Sequence, residues 1–117
     1  MKIKRNKKGR GVYATKRYLP GDLIEVCPII LIPEKQVKKG DLICEYIFAW
    51  EKFYAFAFGY GSLYNHSYEP NAVYSRRKIK HEIVYKAHKK IQPNDEITVN
   101  YSGTVNGNKK MRFKIVD

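Results

Sequence analysis

Three short segments of this chain carry residue types able to do chemistry: Gly9-Arg10-Gly11, residues 65–71 (NHSYEPN) and residues 94–101 (NDEITVNY). Glycine lets a backbone approach a ligand or another backbone closely, because no Cβ stands in the way. A lone G-x-G is weak evidence of such an approach, since the third glycine and the strand-turn-helix setting of a dinucleotide fingerprint are missing. By itself the segment reads as a tight turn just ahead of an apolar strand that starts at Val12. The Asn, His, Ser and Pro of the second segment build an irregular hydrogen-bonding turn rather than a helix or strand. There Asn65 and His66 can donate to and accept from a bound polar molecule, or, on the structural alternative, satisfy the backbone groups of a buried turn. The third segment continues a Pro-Asn-Asp turn into an alternating strand that ends on Tyr101. A phenol held on a strand can orient a reacting group by hydrogen bonding. With ten tyrosines in the chain, Tyr101 also reads as an ordinary core residue.

The elements that must position these segments are strands. Ile97, Val99 and Tyr101 fall on one face of a period-two pattern, as do Ile83, Tyr85 and Ala87, and again Met111, Phe113 and Ile115. Residues 29–32 form a continuous apolar run, which predicts a buried strand. Turn chemistry separates these stretches at residues 38–41, 76–81 and 102–109, and residues 42–53 have room for a turn or two of helix. Residues 14–26 and 87–99 align without a gap and are identical at six of thirteen positions, including Pro20/Pro93 and Asp22/Asp95. In both copies Pro presets φ, Gly or Asn accepts the left-handed region, and Asp bonds the backbone of the turn. The pattern predicts a repeated turn-into-strand unit within a mostly β protein of several small sheets.

Composition narrows the setting. The 117 residues, 44% of them hydrophobic, are expected to form one domain over residues 1–117. No apolar run approaches the roughly 20 residues of a membrane span, and the basic N-terminus lacks the apolar core of a secretory signal. The expectation is therefore an intracellular protein (cytoplasmic, nucleoid or nuclear), neither secreted nor bound to a membrane. Cys27 and Cys44 are the only cysteines, read as reduced core thiols and too few for a structural zinc, so no metal is expected. The net charge of +12 is concentrated at residues 2–10, 76–80 and 86–90. Such clustering favours contact with polyanions, nucleic acid above all, with mere solubility as the other reading.

The order and spacing of GRGVYA, NHSYEPN and NDEITVNY resemble the SET-domain protein-lysine methyltransferases, and the resemblance covers nearly the whole chain. It implies a mostly β SET-domain fold of several small curved sheets, with pseudoknot-like threading of the C-terminal segment and little helix. It implies S-adenosylmethionine as methyl donor, released as S-adenosylhomocysteine, with Gly9, Arg10, Gly11, Asn65 and His66 lining it. By the same resemblance Tyr101 is the catalytic tyrosine, and Tyr46 lines the channel that admits the substrate lysine. Tyr60 and Tyr64 are weaker channel candidates.

Several family features are missing. Tyr68 stands where many members have a cysteine after NHS, the C-terminal cysteines of a zinc-binding tail are absent, and no second aromatic follows Tyr101 closely. Phe113 is the candidate to close the cofactor side. The pattern is that of a minimal SET module of the viral, bacterial or archaeal kind, in which residues 111–116 offer an edge for a homodimer. Acids near these segments, Glu45, Glu51 and Glu69, are candidates to offset repulsion of a basic tail. The leading reading is a methyltransferase acting on a lysine-rich protein such as a histone or histone-like DNA-packaging protein. The alternative is a noncatalytic basic module of the same fold that binds nucleic acid or protein.

Overall fold

The structure, a computed structural model, describes residues 1–101. The 111–116 edge, the 102–109 turn and Phe113 therefore lie outside the described residues. Regular structure is almost all strand: β1 (Lys2–Asn6), β2 (Gly9–Tyr13), β3 (Leu23–Pro33), β4 (Ile47–Trp50), β5 (Phe53–Ala57), β6 (Asn65–His66), β7 (Ala72–Arg77), β8 (Glu82–Ala87) and β9 (Thr98–Val99). Two 3₁₀ turns, Glu34–Gln36 and Leu42–Glu45, are the helical elements among the described residues. No helix there is long and apolar enough to cross a membrane.

β1 and β2 pair as an antiparallel hairpin, and β4-β5-β3-β8-β7 form a five-stranded sheet. β6 and β9 form a separate pair, parallel and only two residues long, with Asn65 opposite Thr98 and His66 opposite Val99. The mostly β, several-sheet architecture thus matches the expectation. Two local readings do not. Gly9-Arg10-Gly11 is strand rather than turn: β2 starts at Gly9, and the chain reverses at residues 7–8. Residues 29–32 lie in β3 but are not buried throughout, since Ile29 faces the core while Ile30 is half exposed. Only one face of the sheet carries the core, so a continuous apolar run still alternates in burial.

The core brings together Val12 from the hairpin, Cys27 from β3, Ile83 and Tyr85 from β8, and Ile91 and Ile97 from the segment after it. The two repeated turns meet there. Leu19 N–H bonds Asp22 Oδ2 at 2.9 Å, and Gln92 N–H bonds Asp95 Oδ2 at 2.9 Å, so both aspartates cap their turns identically. Gly21 and Asn94 both take positive φ, +91° and +74°. The copies also bond to each other, with Tyr18 and Ile91 exchanging N–H···O=C bonds of 2.9 Å and Asn94 N–H bonding Ala14 O at 2.8 Å. The sequence repeat is a structural repeat whose halves clasp one another.

Asn71, the last residue of the NHSYEPN segment, ties this clasp to the β6–β9 pair. Its Nδ2 donates to Glu96 O at 2.8 Å, and its Oδ1 accepts from Thr98 N–H at 2.9 Å. Both partners are backbone groups that lose their bond if the side chain is truncated. Asn71→Ala should therefore lower the unfolding free energy by about 2 kcal/mol, read by urea unfolding, and a change under about 0.5 kcal/mol would contradict the clamp.

Candidate active site

The parallel pairing of β6 with β9 carries the NHS segment to the end of the strand that leads into Tyr101. Ser67 N–H extends the pairing by bonding Val99 O at 2.9 Å. His66 is buried, and its Nδ1 accepts from Tyr101 N–H at 3.0 Å, so that nitrogen carries no proton. The Tyr101 carbonyl accepts from Tyr74 Oη at 3.0 Å, and Tyr101 Oη donates to Tyr64 O at 2.9 Å. All three polar groups of Tyr101 are thus fixed, by segments from before β6, within β6 and within β7. Aromatic edges complete the setting: the His66 ring meets Tyr101 at 5.1 Å and Tyr68 at 4.4 Å between centroids.

Because the phenol proton is committed to the Tyr64 carbonyl, the Tyr101 oxygen can only accept from anything placed beside it. Burial, with Tyr74, Tyr46, Glu45 and Glu96 nearby, pushes its pKa up to about 12. It is a neutral hydrogen-bond acceptor at physiological pH rather than a base.

Across from Tyr101 lies the hairpin. Tyr46, Leu63, Tyr64, Asn65 and Tyr101 line a cleft of about 530 Å³ together with Gly9 and Arg10 of the hairpin. That volume lies within the roughly 300–1,000 Å³ usual for small-molecule sites. Asn65 uses both amide hydrogens, one to Arg10 O and one to Glu96 Oε2, each at 2.7 Å, which leaves its carbonyl oxygen to accept from a ligand. Glu96 occupies the place a side chain at position 11 would need. A Cβ on Gly11 would meet the Glu96 carboxylate and come within 2.7 Å of Asn6 Nδ2. Gly11 is therefore required for close approach by a side chain of the fold, whereas Gly9 is required for its positive φ of +105°.

The structure brings Gly9, Arg10, Asn65, Tyr46 and Tyr101 to one cleft, with Gly11 and His66 supporting it from behind. Tyr60 is not brought there: its hydroxyl donates to Met1 O at 3.2 Å, and its N–H bonds Glu25 Oε2. Of the acids singled out, Glu45 lies near Tyr101, while Glu51 pairs with Lys78 at 3.1 Å and Glu69 closes a turn on Ser67. Glu96 and Asn71 were not predicted as site residues. Glu96 was signalled only by being the acid between a turn aspartate and the strand. Asn71 was signalled only as the second asparagine of its segment.

A hairpin rich in backbone, an Asn-His pair and an immobilised neutral phenol thus meet at one cleft. Comparisons with known proteins show the family. Residues 9–102 match the SET domain model, and the chain belongs to that family. It is similar to the Schizosaccharomyces pombe histone-lysine N-methyltransferase specific for H3 lysine 37, at 27% identity over 99 residues covering 81% of this chain and 67% of that protein. The crystal structure of a candidate histone methyltransferase of Plasmodium falciparum superposes with a TM-score of 0.74 at 27% identity, covering 86% of this chain and 90% of that one. The protein is accordingly a protein-lysine N-methyltransferase.

The raised phenol pKa has a consequence for stability. Unfolding returns Tyr101 to an ordinary pKa of about 10, so above that pH the unfolded chain releases its proton before the folded one does. The contribution is complete below about pH 10 and is lost as pH rises through the folded value of about 12. Urea unfolding across this range should show Tyr101→Phe losing stability less steeply than the parent. Equal slopes would mean the phenol is not buried as described.

Proposed function

We propose that the protein transfers a methyl group from S-adenosylmethionine to the ε-amine of a lysine in a basic protein, with Tyr101 as the catalytic residue. The observation that carries this reading is the Tyr101 hydroxyl, fixed in the cleft wall with its proton spent on Tyr64 O and its oxygen left to accept. The cofactor supplies an electrophilic methyl on a sulfonium. The residues present suit it: the backbone of Gly9 and Arg10 lines the cleft, the Asn65 carbonyl oxygen accepts from an amino group, and Lys8 and Arg10 provide cations for a carboxylate.

The rest of the chemistry is positioning. The Tyr101 oxygen accepts a hydrogen bond from the substrate amine and holds it in line, while Tyr46 and Tyr101 flank the apolar stem of the lysine and keep water out. A lysine ammonium, with its ordinary pKa of about 10.4, must lose a proton before it can attack. Tyr101, neutral up to about pH 12, cannot take that proton under physiological conditions, so it leaves to water. Methyl transfer should therefore accelerate between about pH 7 and pH 9, and a flat profile would place deprotonation outside the rate-determining sequence.

A histone or histone-like DNA-packaging protein is the substrate class we favour. Its lysine-rich tail suits an aromatic channel with Glu45 nearby, and the curated relative is named for a histone lysine. Calorimetric titration with S-adenosylmethionine and S-adenosylhomocysteine tests the cofactor site. We expect saturable binding near about 1 μM to 100 μM, weakened at least about tenfold in Asn65→Ala and retained in Tyr101→Phe. No binding up to millimolar cofactor would overturn the reading.

A further inference from the structure

The β1–β2 hairpin carries six cations, Lys2, Lys4, Arg5, Lys7, Lys8 and Arg10, and no acid occurs anywhere in residues 1–13. All but Lys8 are exposed. The other basic clusters are not equivalent. In the 76–80 stretch, Arg77 pairs with Glu82 at 3.5 Å, Lys78 pairs with Glu51 at 3.1 Å, and Arg76 Nε bonds Ala49 O at 2.9 Å. The 86–90 stretch lies against the turn that holds Asp22, through Gly21 N–H to Ala87 O and Ala87 N–H to Asp22 O. Among the described residues, no ion pair neutralises a hairpin cation.

We propose that the β1–β2 hairpin is a docking surface for the phosphate backbone of double-stranded DNA, bound without regard to sequence. A five-residue strand spans about 17 Å, over which a duplex presents about ten phosphate charges. Lys2 and Lys4 share one face of β1, Arg5 lies opposite Arg10 on the other, and Lys7 and Lys8 form the turn, so the hairpin meets that array with cations on both faces and at its tip. The hairpin's outward surface is lysine-rich with Ile3 as its exposed large apolar side chain. Interfaces between proteins are depleted of lysine and anchored by aromatics, which favours polyphosphate over an acidic protein as the occupant.

The same hairpin forms a wall of the cleft, since Lys4, Arg5, Lys8 and Arg10 also line it. DNA docked there sits at the cleft mouth and offsets charge that would otherwise repel a cationic tail. The tail of a packaging protein held on that duplex is then presented to the site. Only this consequence rests on the proposed methyl transfer; the docking itself rests on the hairpin's charge.

Fluorescence anisotropy with a random-sequence duplex of about 30 base pairs, measured across salt concentrations without cofactor, tests the docking. If four to six of the cations contact phosphate, log affinity should fall against log salt with a slope of about −4 to −5. The double variant K2Q/K7Q, which spares every cleft residue, should reduce the slope by about 2, whereas K89Q/K90Q should leave it unchanged. Equal slopes for K2Q/K7Q and the parent would overturn the proposal. So would absent duplex binding at about 50 mM salt, whether or not phosphatidylserine vesicles bind instead.

Discussion

Four residues pair across the shortest sheet among the described residues, and the site depends on them. The parallel contact of Asn65 and His66 with Thr98 and Val99 joins stretches more than thirty positions apart in sequence. A two-residue parallel pair is weak alone, because its few bonds do not offset the entropy of closing so long a loop. It persists because its surroundings impose it. The clasped repeat fixes residues 91–97 against 12–18, β7 and β8 span the intervening chain, and Asn71 bonds the backbone on both sides of Ile97. Core packing thereby becomes positional accuracy at Tyr101.

What arrives at that position is a side chain with little freedom left. His66 holds the Tyr101 amide, Tyr74 its carbonyl and the Tyr64 carbonyl its hydroxyl, so the phenol oxygen is presented in one orientation. Burial keeps it neutral, which suits the alignment role proposed for it, because a phenolate would compete for the methyl donor. The opposite wall follows a different logic. Glu96 reaches through the gap left by Gly11 to hold the Asn65 amide, which also holds Arg10 O, so one carboxylate couples the hairpin to the NHS segment. A negative charge placed there also offsets part of the hairpin's positive charge.

The sheet-rich fold was legible because alternation at residues 83–87 and 97–101 and the repeated Pro-Gly-Asp and Pro-Asn-Asp turns are local signals. The clasp between the repeats was not, because the alignment of two turns says nothing about whether they touch. Residues 9–11 were misread as a turn, since glycines that accommodate a neighbouring carboxylate look the same in sequence as glycines that reverse a chain. For the site, position along motifs brought Tyr46, Asn65 and Tyr101 to one cleft, but it could not separate Tyr60 from its neighbours. Tyr60 and Tyr64 lie in one stretch of glycine and aromatics, and only the path of the backbone decides that both hydroxyls turn toward Met1 while the Tyr64 carbonyl is left to hold Tyr101. Glu96 and Asn71 act through backbone and through a gap, relations that leave no pattern along the chain.

The central claim is that this cleft moves a methyl group onto a lysine nitrogen under the control of Tyr101. Its most direct test is incubation with tritiated S-adenosylmethionine and a mixture of histones and DNA-packaging proteins, followed by acid hydrolysis and amino-acid analysis. The account predicts label in Nε-methyl-lysine from the parent protein and background counts from an equally folded Tyr101→Phe variant. Label on another amino acid, or equal label from the two proteins, would contradict it.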